Sequence, residues 1–183
     1  MFDTRPYLTL ILSDNTEISV HQYTEGMKPI FLKIGNDEML ASHNEILICM
    51  KDKRHYTKGK LQWQNNKDNI GFPGVLTDYA IEYDKKNQAK ADMNGYKNCM
   101  NLLNAAAEKE VDLPAIEYCR SKSFTNKGIR YEGYLPSLGQ FKFMTYYYFP
   151  IYRTLSRCGN QDFINTGQDW WSSTESAAWS VWV

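Results

Sequence analysis

Apolar and polar residues alternate through "YLTLILSDNTEISVHQY" (residues 7–23), in two period-two segments on either side of Asp14-Asn15-Thr16. This predicts a β-hairpin with a short polar turn at the start of the chain. "KPIFLKIGNDEMLAS" and "EILICM" carry two more strand candidates, the first interrupted by a turn at Gly35-Asn36-Asp37. From Lys51 to Gly74 the pattern is polar and punctuated by Gly59, Gly71, Pro73 and Gly74, so long loops are expected there, with a short strand at "KLQW". The period then changes. Cys99, Leu102, Leu103 and Ala106 recur at spacings of three and four, the mark of one helix face, and Asn94 stands where a cap belongs.

Pro114 opens a second helical stretch with Ile116 and Cys119 on one face, since proline lacks the N–H that would be unpaired in a first turn anyway. "GYLPS" (133–137) reads as a short strand. "LGQFKFMTYYYFPIYRTLSRCG" reads as a helix that Pro150 divides, one part ending near Phe149 and the other running from about Ile151 to Arg157, with Gly159 as its stop. "NQDFINTGQ" has turn chemistry, and "DWWSST" and "AAWSVWV" have strand-like content. Strands, loops, helices, a broken helix and strands again, without alternating βαβ units, predict an α+β fold.

Composition narrows the function classes. The chain has 183 residues, 43% hydrophobic and 23% charged, which suits one main folded domain and excludes the profile of disorder. Lysine plus arginine balances aspartate plus glutamate at 21 each, so no global field favours nucleic acid or an anionic membrane. The only early apolar run is four or five residues long and flanked by charges, so neither a signal peptide nor a membrane span is expected, and the protein is expected to be virion-associated, or cytoplasmic before release. Cys49, Cys99, Cys119 and Cys158 are widely spaced and read as reduced thiols. Aromatic residues reach 14%, and four of the five tryptophans lie in "DWWSSTESAAWSVWV" (169–183).

Three stretches, in this order, carry a resemblance. "ADMNGYKNC" (91–99) resembles a D-x-(D/N)-G-x-x-N-T segment, with Cys99 at the threonine position. "GYLPSLGQF" (133–141) resembles a W/Y-Y-L-P-S-x-G-E-L motif, with Gln140 at the acidic position, and "WWSSTES" followed by "AAWSV" resembles a Y/W-W-S-S-T-E…A-W motif. Together they resemble the C-type-lectin-like fold. The branch is the one shared by formylglycine-generating-enzyme-like domains, Fibrobacter-type major paralogous domains and the variable proteins of diversity-generating retroelements. The resemblance covers roughly residues 75–183 and implies two main helices flanking a twisted, mostly antiparallel sheet with long loops. With the hairpin of residues 1–25 as an N-terminal extension, residues 26–183 would form the ligand-binding domain. Relatives continue past A-W-x-V into a final strand, whereas this chain ends at Val183, so the expectation is that the strand is dispensed with or replaced.

Chemistry is sparse. His21, His43 and His55 all lie in the first third, away from the motifs, and Ser172, Ser173 and Thr174 have no histidine nearby to activate them. The cysteine pair of formylglycine-generating enzymes has no counterpart beyond Cys158, and the E-P-N, Q-P-D and W-N-D triplets of calcium-dependent sugar binding do not occur. "DMNG" begins like a calcium loop but lacks the bidentate glutamate of an EF-hand, and it reads better as a turn capping the first helix. No enzymatic activity, metal or cofactor is therefore expected.

A binding surface remains. By the resemblance, Trp171, Ser172, Ser173, Thr174, Glu175 and Trp179 form a framework whose rings anchor loops and whose polar groups satisfy backbone. Gln168, Asp169, Trp170, Ser176, Ala177, Ser180 and Trp182 are the candidate ligand-binding positions, a mixture of small polar residues and rigid rings like that of antibody surfaces. Trp170 and Trp182 have a second reading, in the core or against another subunit. The expected function is non-enzymatic binding or adhesion of the phage or bacterial receptor-binding type, including the variable protein of a retroelement, with a cell-surface protein or glycan as ligand. The alternative is a virion decoration or fibre component that self-associates through the N-terminal hairpin.

Overall fold

A computed structural model describes residues 7–41, 45–50, 88–160 and 172–174, and the backbone of 175–177 and 180–181. The loops and short strand expected at 51–74 lie outside these residues. The fold is α+β, and the contacts within it divide the chain into two compact units. The first comprises Met1–Thr57, Thr125–Ile129 and Phe143–Gly167; the second comprises Lys58–Phe124, Arg130–Lys142 and Gln168–Val183.

The first unit is built on a four-stranded antiparallel sheet of order β2-β1-β3-β4: β1 (Tyr7–Leu12), β2 (Glu17–Ser19), β3 (Pro29–Gly35) and β4 (Ile46–Cys49). β1 and β2, expected as an N-terminal extension, are strands of this same sheet, with Leu10 opposite both Ile18 and Leu32. The central strand β3 buries Ile30, Phe31, Leu32 and Ile34, so its residues are covered on both faces, as near-continuous apolar runs require. The polar turn forms as predicted. Asn15 takes the left-handed conformation at φ 69°, the Asp14 carboxylate accepts from Thr16 N at 3.0 Å, and Asn126 Nδ2 donates to Asn15 Oδ1 at 2.6 Å.

After Gly35 the chain departs from expectation. The segment predicted to resume as strand is a short helix, α1 (Asp37–Ala41), because Asn36 Oδ1 accepts from Met39 N at 2.9 Å and caps its first turn. The broken helix is α4 (Leu138–Tyr146) and α5 (Tyr148–Arg157), and the break falls at Tyr147, three residues before the proline. A proline ring clashes with the carbonyl of residue i−4, here Tyr146, so the first helix stops there and Pro150 sits in the first turn of the next. Gly159, at φ +74°, ends α5 as expected: Asn160 N donates to Leu155 O at 2.8 Å and Gly159 N to Ser156 O at 3.0 Å, a Schellman closure.

The second unit is centred on α2 (Gly95–Glu108) and α3 (Pro114–Ser121). Cys99, Leu102 and Ala106 of α2 join Val111, Leu113, Ala115, Ile116 and Leu135 in one buried cluster, which is the predicted helix face meeting its partner. Between the helices Glu110 occupies the left-handed position at φ 54°, with Val111 N bonded to Ala106 O at 3.0 Å.

A hairpin of β5 (Phe124–Asn126) and β6 (Ile129–Tyr131), turning through Lys127 and Gly128 at positive φ, was not anticipated. "GYLPS" is not a strand, and of "DWWSST" the described residues are not strand either, with bends at Ser173 and Thr174. β7 (Glu175–Ala177) and β8 (Ser180–Val181) pair antiparallel with each other.

Candidate functional site

The three motif stretches meet around one carboxylate in the second unit. Asp92, 5% exposed, receives four hydrogen bonds: from Asn94 N (2.9 Å) and Asn94 Nδ2 (3.2 Å) on Oδ1, and from Asn98 Nδ2 (2.7 Å) and Thr174 Oγ1 (2.7 Å) on Oδ2. Its main-chain carbonyl accepts from Ser137 Oγ at 2.6 Å and Gly139 N at 3.0 Å. A carboxylate offers about four lone-pair directions, and all are used by neutral donors of the chain. Asn94 holds the expected cap position of α2, but its side chain makes no capping bond; it is Asp92 that ties that turn down.

The second motif supplies the walls. Ser137 and Gln140 form a reciprocal box at the start of α4: Ser137 N donates to Gln140 Oε1 at 3.0 Å, and Gln140 N reaches Ser137 Oγ at 3.4 Å. Gln140 uses its amide nitrogen to donate to the Tyr134 hydroxyl at 3.2 Å. Burial pushes that phenol up to about 12, so it stays neutral. Cys99 does both jobs of a hydroxyl: Sγ accepts from Leu135 N at 3.3 Å and donates to Leu135 O at 3.4 Å. Its thiol is pushed up to about 12 by burial and stays protonated. Gly139 is required by contact, since a Cβ there would overlap the Asp92 carbonyl, and one at Gly95 would overlap Gln140 Oε1.

The third motif locks onto this frame. Thr174 Oγ1 accepts from Leu138 N at 2.8 Å while donating to Asp92, Ser173 N donates to Pro136 O at 2.8 Å, and Ser172 Oγ accepts from Thr174 N at 3.3 Å. Ser172, Ser173 and Thr174 are all buried, and the Ser173 hydroxyl has no hydrogen-bond partner among the described residues. The first residues of the C-terminal segment are therefore held by backbone and side-chain bonds to elements 36 and 82 positions away in sequence. Thr174 beside Asp92 has the composition of a nucleophile and base, but both are buried and their bonding is committed to the frame.

Of the predicted ligand-binding residues, Ser176 and Ala177 lie on β7 and Ser180 on β8, directly after this anchor. Gln168, Asp169, Trp170 and Trp182 lie outside the described residues, as do Trp171 and Trp179 of the expected framework and His43 and His55. His21 lies in a 3₁₀ turn (Val20–Gln22) of the first unit. Among the described residues no three His, Cys, Asp or Glu side chains converge as a metal set, and no helix is long and apolar enough to cross a membrane. The four cysteines are all free, with burial raising the Cys119 thiol to about 11 and raising that of Cys158.

Sequence reasoning named Thr174 as framework but did not find Asp92 as its partner or Ser137 as the donor to the Asp92 carbonyl. A serine three residues before a glutamine at a helix start was the available signal for the second. Comparison with protein-family models, with curated proteins and with solved structures finds no match to this chain.

Proposed function

We propose that this chain is a non-enzymatic ligand-binding protein of C-type-lectin-like type, related to the variable proteins of diversity-generating retroelements. Its role would be adhesion or receptor binding for a phage or bacterium, and its ligand a protein or glycan on a cell surface. One observation carries the reading: residues 92–98, 134–140 and 172–174, the stretches of the resemblance, converge on the Asp92 carboxylate. A buried, fully bonded polar frame contributes rigidity rather than chemistry, and what it makes rigid is the root of residues 175–183. Rigid rings and small polar residues on a fixed root are what a binding surface needs, because little conformational freedom is then lost on contact.

The test is binding of the labelled protein to intact bacterial cells and to an array of glycans, comparing wild type with Trp170→Ala, Trp182→Ala and Ser176→Trp. Loss of binding in at least Trp170→Ala, with an unchanged unfolding midpoint, is the expected result. Binding that survives all three substitutions would sink the proposed surface.

A further inference from the structure

The first unit holds a basin of about 700 Å³, within the size range of small-molecule sites, that has no place in the function proposed above. Its walls come from β1, from the 3₁₀ turn and from one face of α5. Leu8, Val20 and Pro150 supply apolar surface, while Arg153, Arg157 and His21 supply donors. Spacing on α5 puts Pro150, Arg153, Thr154 and Arg157 on a single helix face, so the two guanidiniums stand one turn apart on the same side.

Two like charges one turn apart repel, and no aspartate or glutamate stands among the described lining residues to offset them. The two arginines differ in their bonding. Arg157 is fixed: Nη2 donates to Tyr23 O at 3.2 Å and Nη1 reaches Val20 O at 3.5 Å, with the guanidinium over the Tyr23 ring at 5.8 Å. These contacts use two of its five N–H donors and leave the rest of the fork. Arg153 has no hydrogen bond or ion pair among the described residues. The arrangement thus offers a free fork, a pre-oriented second fork and an imidazole over an apolar wall.

From this we infer that the basin binds a small organic anion, through a carboxylate or phosphate held between Arg153 and Arg157 and an uncharged body laid against Leu8, Val20 and Pro150. Guanidinium forks match the paired oxygens of both groups, and a second cation one turn away converts the existing repulsion into shared attraction. The volume exceeds what a bare oxyanion fills, which is why the ligand has a body. This site stands independently of the C-terminal surface.

Isothermal titration of the full chain at low ionic strength tests it with three probes: glucuronate, glucose 6-phosphate and uncharged glucose. Saturable one-to-one binding of an anionic probe is expected, at least about tenfold tighter than glucose and weakening as salt rises. Preference for glucuronate identifies a carboxylate ligand and preference for glucose 6-phosphate a phosphorylated one; either supports the site. Arg153→Gln should weaken binding by about tenfold or more without moving the thermal midpoint, because Arg153 has no partner to lose. Arg153→Lys should recover only part of the affinity, and Trp170→Ala should leave it unchanged. Absence of saturable binding by both anions, glucose binding as tightly as either, or an unaltered affinity in Arg153→Gln would overturn the inference.

Discussion

Substituting Asp92 by asparagine changes one oxygen to an amide nitrogen without changing size, so its effect measures the polar frame itself. Four donors face the carboxylate, two on each oxygen, at 2.7–3.2 Å. The amide cannot serve all of them in either orientation. Turned inward, its nitrogen meets Asn98 Nδ2 and the Thr174 hydroxyl, which already accepts from Leu138 N. Turned the other way, it faces the Asn94 main-chain N–H, which has no second acceptor there. The second orientation is cheaper: the exposed Asn94 side chain can turn over so that its oxygen accepts from the new amide, which leaves the Asn94 main-chain N–H without its partner at about 1–3 kcal/mol, and the bonds that remain fall from charge-assisted to neutral strength. Relief from burying a charge offsets part of this. The net expectation is a loss of about 2–4 kcal/mol, a large share of the roughly 5–15 kcal/mol that holds a domain together.

Equilibrium unfolding in guanidinium, followed by far-ultraviolet circular dichroism, gives the number directly. A double-mutant cycle with Thr174→Val separates the Asp92–Thr174 bond from general destabilisation, and the two substitutions should fall short of additivity by about 1 kcal/mol or more. A loss under about 1 kcal/mol for Asp92→Asn, or strict additivity with Thr174→Val, would refute the argument that this carboxylate ties the three stretches together.

Three further outcomes are expected. Glu110→Gly relieves a side chain at φ 54° in the α2 to α3 link and should raise stability by about 1 kcal/mol, shifting the thermal midpoint upward by roughly 2–4 °C; a lower midpoint would count against the assigned backbone. Cys99 and Cys119, pushed up to about 12 and about 11 by burial, should resist a disulfide reagent at pH values near 8 in the native state and react only on unfolding, as mass spectrometry of the labelled sites would show. The Glu132 carboxyl is held below its ordinary value by the Tyr96 hydroxyl, bonded at 2.7 Å, and by the Arg120 guanidinium at 3.1 Å. Since a depressed folded value stabilises above the unfolded value and is lost as pH falls through the folded one, Glu132→Gln should flatten the acid limb of a stability–pH profile; the same carboxylate raises the Tyr96 phenol, so the loss of stability at strongly alkaline pH should soften as well.

How far the sequence could be read depended on how local each cause was. The turn at Asp14-Asn15, the Pro114 start of α3, the apolar face of α2 and the Gly159 stop all follow from neighbours within a few positions, and all four are present. The helix break was located three residues late because Pro150 acts on the carbonyl four positions before it rather than on its own site. "GYLPS" has strand content but no strand partner: the main-chain N–H and carbonyl of Leu135 are both taken by the Cys99 thiol, and Pro136 O is taken by Ser173 N. The Cys99 partner lies 36 positions from Leu135, and Ser173 lies as far again along the chain from Pro136, beyond any periodicity. The Asp92 frame was illegible for the same reason, with its decisive bond spanning 82 positions. Only the resemblance linked those stretches, and it did so without naming the atoms. Four of the seven candidate binding residues, Gln168, Asp169, Trp170 and Trp182, fall outside the described residues, and Ser176, Ala177 and Ser180 are placed by their backbone alone, on β7 and β8.

Why the frame is polar follows from what it has to hold. A segment such as "GYLPS" or "SST" that joins no sheet leaves main-chain N–H and carbonyl groups buried, each costing about 1–3 kcal/mol if unpaired. Apolar side chains cannot discharge that cost, whereas a thiol, hydroxyls and a carboxylate at fixed positions can. The Cys99, Ser137 and Thr174 side chains each bond main-chain atoms outside their own element. Such bonds are directional, so they fix where residues 172–174 run and set the register at which β7 begins. Substitutions at 92, 99, 137 or 174 should then disturb folding, while those at the proposed surface positions 176, 177 and 180 should be tolerated under the proposed function. Under the proposed function that separation is the useful property: the root stays constant while the surface beyond it is free to change.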